Sequence, residues 1–119
     1  VIAHLKARGV PGLFWFHIPN GGKRPELDGA ILQGLGVKRG VPDLCLLHKG
    51  QAYFLELKAE KGVLSPEQVK TMHYIWLAGH AVEVAYGLDN ALAILEGWRL
   101  LKGSSGYLPL MAPVMTNHS

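Results

Sequence analysis

The sequence predicts an α/β fold: a mixed four-stranded sheet with helices on both faces, in the order αβαββαβα. Three observations lead there. Two short apolar runs, residues 44–47 and 52–57, flank the glycine-containing turn His48-Lys49-Gly50-Gln51 and read as a β-hairpin. Ser65-Pro66-Glu67-Gln68 then opens a helix: a serine that can cap, a proline suited to the first helical position, and a glutamine completing a Ser-x-x-Gln box. A strand-like run, residues 81–86, follows that helix. A right-handed crossover would lay it parallel to the second hairpin strand.

The remaining elements follow in order. Residues 1–8 read as the end of a helix, with Val1, Ile2 and Leu5 as its apolar stripe and Gly9 as its stop. Residues 13–18, rich in aromatic and branched side chains, read as the first strand. Pro19-Asn20-Gly21-Gly22 ends it and leads into Lys23 and Arg24. Residues 26–35 read as a helix, with Leu27, Ala30, Ile31 and Gly34 roughly on one face. Gly36 ends it, and Val37-Lys38-Arg39-Gly40 forms a second basic loop. The helix from Ser65 runs to about Ala78, burying Val69, Met72, Ile75 and Trp76. A last helix begins at Asp89 or Asn90 and runs through Leu101, with Leu92, Leu95 and Trp98 inward. Residues 1–102 are expected to form one domain. Residues 103–119 form an apolar, proline-interrupted tail suited to packing on a partner chain.

A chain of 119 residues is long enough for one modest core. Its hydrophobic fraction of 49% and charged fraction of 18% are those of a globular protein. No apolar run approaches the roughly 18 residues of a membrane helix, and no signal-like segment is visible, so no membrane partner is expected. The formal charge of +3 permits nucleic-acid binding without by itself indicating it. Cys45 is alone and reads as a buried, reduced thiol, as expected in a cytoplasm. The six histidines show no zinc spacing; His17 alone is kept as a candidate, because it lies on the first strand near the Asn20 loop.

The chemistry concentrates between Gly40 and Gln68. Asp43 opens the first hairpin strand, and antiparallel pairing folds it back beside Glu56 at the end of the second. Side chains two apart on a strand share a face, so Glu56 and Lys58 point the same way. Two carboxylates at one point repel unless a cation sits between them. A magnesium ion is usually bound in this way, by one or two carboxylates with waters and substrate phosphate. Such an ion polarises a phosphoryl oxygen and generates a hydroxide nucleophile. Asp43 and Glu56 are therefore the candidate ligands, with the backbone carbonyl of Leu57 a further one. Lys58 supplies a positive charge to stabilise the phosphorane or orient the water. Asn20, Gly21, Gly22, Lys23, Arg24, Lys38 and Arg39 are candidate contacts to a nucleic-acid backbone.

Gly40, Pro42, Asp43, Glu56, Lys58 and Gln68, in this order and spacing, resemble the VRR-NUC family of the PD-(D/E)xK nuclease superfamily. The resemblance spans about residues 13 to 97, and the Asn20-Gly21-Gly22 loop is similar to a segment of small stand-alone bacterial or phage members. It implies a restriction-endonuclease-like core and a Mg2+- or Mn2+-dependent nuclease. Asp43 and Glu56 would be its metal ligands, Lys58 its catalytic lysine, and Gln68 a helper near the site. One departure is visible. Family members often carry an acidic residue on the first helix, and here no Asp or Glu precedes Glu26.

Small stand-alone members resemble Holliday-junction resolvases, which implies a structure-selective DNA endonuclease. Symmetric cutting needs two sites, so a homodimer is expected. A bacterial or phage-encoded cytoplasmic protein associated with the nucleoid would fit. The alternatives are a flap or end nuclease in repair or phage replication, and a non-catalytic nucleic-acid-binding module on a nuclease fold.

Overall fold

A computed structural model describes residues 1–19 and 34–103. The expected helix over residues 26–35 falls largely outside the described residues. So do the Asn20-Gly21-Gly22-Lys23-Arg24 loop and nearly all of the tail.

The described elements are α1 (Ile2–Arg8), β1 (Phe14–His17), β2 (Leu44–His48), β3 (Gln51–Lys58), α2 (Pro66–Leu77), β4 (Ala81–Tyr86) and α3 (Leu88–Gly97). The four strands form one sheet in the order β1-β2-β3-β4. The first three are antiparallel neighbours, and β4 runs parallel to β3. This is the mixed sheet that the hairpin and the crossover predicted. The hairpin is tighter than the sequence suggested. His48 pairs with Gln51, leaving Lys49 (φ 50°) and Gly50 (φ 79°) as a two-residue turn with two left-handed residues.

Alternation along β2 and β3 divides the molecule into two layers. Leu44, Leu46 and Leu55 point to one face, where they pack with Leu5 of α1 and with Ala91, Leu92 and Leu95 of α3. All seven are buried, and they form the centre of the main core. Cys45, Phe54 and Glu56 alternate with those leucines and so face the other side. That side is covered by α2, which buries Met72. Arg8 ties α1 to α3 through a 2.6 Å ion pair with Glu96.

Two expectations need correction. Val69 and Trp76 do not pack inward; they are 53% and 60% exposed. The inner face of α2 instead runs through Gln68, Thr71, Met72 and Ile75, at helical spacings of three and four. Gln68 and Thr71 turn inward because each makes a tertiary hydrogen bond, to Glu56 and to the Arg39 carbonyl. The last helix also stops early, at Gly97, because Arg99 adopts a left-handed conformation (φ 64°). Its exit is closed by the N–H of Leu100 donating to the Leu95 carbonyl. Leu100 and Leu101 are still buried. They are held as extended chain, with Leu101 bridged to Gly9.

Candidate active site

The hairpin performs the first step of assembly. Leu44 is paired with Leu55, which sets Asp43 against the end of β3. Asp43 Oδ2 accepts a 2.8 Å hydrogen bond from the backbone N–H of Leu57. From the neighbouring positions of β3, Glu56 and Lys58 project together, with Lys58 Nζ 3.7 Å from Glu56 Oε2. The structure thus brings Asp43, Glu56 and Lys58 to one place.

The start of α2 performs the second step. Ser65 caps the helix, and its hydroxyl accepts from the N–H of Gln68 at 3.1 Å. Gln68 Oε1 in return accepts from the N–H of Ser65 at 2.9 Å. This uses only half of the amide. Gln68 Nε2 donates to Glu56 Oε2 at 2.8 Å. The two roles that compete for Gln68 in the sequence are therefore filled at once: its oxygen closes the capping box, and its nitrogen reaches the site. Ser65 was read from the sequence as a cap alone. Its backbone N–H also fixes the rotamer that lets Gln68 hold Glu56.

Glu56 is the electrostatic centre. It is 3% exposed, the one buried charged residue among those described. Burial raises its pKa most, the negative charge of Asp43 raises it further, and the Lys58 ammonium opposes both. Oε1 is buried without a hydrogen-bond partner. An orphaned carboxylate oxygen of this kind costs free energy, and a cation beside it would remove that cost.

The donors present are all hard oxygens, the type that suits Mg2+ or Mn2+. Strand geometry adds the Leu57 carbonyl to them. The N–H and C=O of one strand residue leave on the same edge, and the Leu57 N–H points to Asp43. Its carbonyl therefore leaves toward Asp43 as well. No group of three or more His, Cys, Asp or Glu side chains that could hold a metal occurs among the described residues. His17 is exposed at the end of β1 and joins no such group.

The second basic loop borders the site. Arg39, Gly40 and Val41 line a cleft of about 210 Å³ with Ser65, Glu67 and Gln68. Gly40 is required there twice over. Its φ is +78°, and a Cβ would collide with the Glu67 backbone carbonyl. Thr71 Oγ1 donates to the Arg39 carbonyl at 2.6 Å, so this loop is pinned to α2. Thr71 was missed in the sequence; its signal is the three-residue spacing from Gln68. Lys38 and Arg39 are exposed, whereas Asn20 to Arg24 fall outside the described residues.

Comparison with known proteins agrees with this architecture. The sequence profile of the VRR-NUC domain matches residues 26–89, which include Asp43, Glu56, Lys58 and Gln68. A solved structure described as a VRR-NUC domain protein superposes with a TM-score of 0.60 at 24% identity, covering 82% of this chain and 77% of that one. At that identity the likeness speaks for the fold. No curated protein matches the chain.

Proposed function

Since the chain belongs to the VRR-NUC domain family, and so carries a nuclease-fold domain of a kind that acts on nucleic acid, we propose that it is a Mg2+- or Mn2+-dependent endonuclease acting on structured DNA. The observation that carries this reading is the buried carboxylate of Glu56. Its Oε1 has no partner, while Asp43 and Lys58 converge on it. A purely structural glutamate would be solvated or fully paired.

Asp43, Glu56 and the Leu57 carbonyl are the groups that would hold the cation. When bound, the cation lowers the pKa of a coordinated water and offsets charge on the phosphate. The chain's own residues do the rest. Gln68 and the Leu57 N–H fix the orientations of Glu56 and Asp43, so no reorganisation is needed when substrate arrives. Lys58, only partly exposed, orients the attacking water or neutralises charge on the pentacovalent phosphorus. Arg39 and Lys38 supply positive charge for the strand beside the scissile bond.

The basic side chains beside the site, Lys38 and Arg39, offer charge to phosphates, which favours recognition of backbone and branched shape. A Holliday-junction resolvase acting as a twofold homodimer is the leading version; a flap or end nuclease is the other. A non-catalytic binding module is favoured by one observation: only two acidic side chains converge among the described residues.

One experiment separates these readings. Labelled junction, flap and linear duplex DNA are incubated with Mg2+ or Mn2+ and either wild type or Lys58→Ala. The expected result is metal-dependent cutting that Lys58→Ala abolishes while binding persists. The preferred substrate then distinguishes resolvase from flap enzyme, and a monomer in light scattering would refute the resolvase version. Binding without cutting in either metal would move the assignment to the non-catalytic module.

A further inference from the structure

The same side of the sheet carries a second concavity. A groove of about 850 Å³ lies between the basic loop, the middle of β3 and α2. It shares Arg39, Val41 and Glu67 with the cleft beside Gln68, so the two are continuous. Its walls and rim differ in character. Phe54, Tyr74 and His80 offer ring surface, while Lys38, Arg39 and Lys70 bring three positive charges against the single carboxylate of Glu67. Phe54 and His80 meet edge-on, with centroids 6.3 Å apart. Tyr74 is 59% exposed, its ring tilted against His73 with centroids 6.4 Å apart, and it presents a π face. The Thr71 bond to the Arg39 carbonyl fixes the wall between groove and cleft.

We propose that this groove is a subsite for an unpaired nucleic-acid strand, taking one or more bases on Tyr74 with their phosphates on Lys38, Arg39 and Lys70. Rings interleaved with basic side chains are what single strands require, because every base has a π face and every linkage a charge. A paired duplex has its bases stacked inward and cannot use those rings. The subsite rests on the nuclease reading only for its purpose. It would lead the unpaired arm of a flap or an open end away from Glu56, and so it favours the flap or end version over the Holliday junction, whose arms are all paired.

The test is binding, measured in chelator so that nothing is cut. Fluorescence anisotropy follows a labelled single-stranded oligonucleotide and a labelled blunt duplex with wild type, Tyr74→Ala, Tyr74→Phe and Trp76→Ala. Trp76 is as exposed as Tyr74, at 60%, but stacks on His73 outside the groove, so it controls for the loss of any surface ring. Tyr74→Ala is expected to weaken single-strand binding roughly 10-fold and duplex binding less than about twofold, the span of an ordinary surface change. Tyr74→Phe should restore the wild-type value, and Trp76→Ala should match it. Lys38→Ala with Lys70→Ala should lower the salt slope of single-strand binding by about one to two.

Equal losses on single strand and duplex would overturn the subsite, as would no loss from Tyr74→Ala. If Tyr74→Ala instead changes the oligomeric state in light scattering, the groove belongs to a second copy of the chain and the proposal fails. The two readings fail separately. Selective loss in a protein that cuts nothing keeps the subsite and removes the nuclease. Cutting with no Tyr74 effect does the reverse.

Discussion

Replacing Glu56 by glutamine should make the metal-free protein more stable, not less. The side chain is 3% exposed, with Oε2 held by Gln68 and Oε1 buried without a partner. Burial and Asp43 raise its pKa above the ordinary glutamate value. The sign follows from that direction. The folded chain holds this proton more tightly than the unfolded chain, so stability from this group is greatest below the unfolded pKa. It falls as pH rises through the folded pKa. Glutamine cannot ionise and escapes the loss. A buried polar group left unsatisfied costs about 1–3 kcal/mol. The glutamine amide keeps the Gln68 contact but needs its own partner, so a gain of about 1–2 kcal/mol is expected. Unfolding entropy near 2.1 cal/mol/K per residue converts that to roughly 4–8 °C for a chain of this length. Thermal unfolding followed by circular dichroism in EDTA, from about pH 4 to pH 8, measures it. The curves should meet at low pH and separate as pH rises. Adding Mg2+ or Mn2+ should then stabilise wild type alone, since a ligand raises stability only where it binds the folded state. A Glu56→Gln protein that melts at or below wild type at neutral pH in EDTA would refute the argument. Equal stabilisation of both proteins by the cation would refute it too.

Three further outcomes follow from the same contacts. Ser65→Ala removes the hydroxyl that caps α2 and should cost about 1 kcal/mol in denaturant unfolding; metal binding by titration calorimetry should change little, because Gln68 Oε1 is held by the backbone N–H of residue 65, which alanine keeps. Gln68→Ala removes a charge-assisted bond to Glu56 and should lower kcat by about 10-fold or more, with little change in DNA affinity by anisotropy. Gly40→Ala meets both a left-handed φ and the Glu67 carbonyl; it should cost about 2–3 kcal/mol or more, where the nearly unobstructed Gly50→Ala should cost only the left-handed penalty of about 1–2 kcal/mol.

Much of the sheet could be read from sequence because it depends on local chemistry. Gly50 fixes the hairpin turn, the alternation of β3 fixes its faces, and Ser65-Pro66 marks a helix start whatever surrounds it. The parallel β4 followed from chirality alone. What could not be read depended on tertiary partners. Val69 and Trp76 look like core residues by apolar spacing, yet lie at the surface. The helix is rolled so that polar Gln68 and Thr71 face inward, toward a carboxylate and a carbonyl that periodicity cannot see. The early end of α3 was hidden in a similar way. Arg99 is left-handed without being glycine, and Leu100 and Leu101 are buried as extended chain, so their apolarity resembled one more helical turn.

The roll of α2 links fold and site. A helix that buried its most apolar stripe would turn Val69 and Trp76 inward and carry Gln68 away from Glu56. The observed docking leaves large apolar side chains in water, which is unfavourable. In return, Gln68 meets Glu56, Thr71 pins the Arg39 loop, and Lys70 and Tyr74 line the groove. The same rotation therefore serves the carboxylate site, the basic loop and the aromatic groove together. Local consistency between sequence pattern and fold breaks on this helix, and functional sites are where such breaks are expected. The exposed face of α2 is thus an independent sign, beside the orphaned Glu56 oxygen, that this side of the sheet is organised around a ligand.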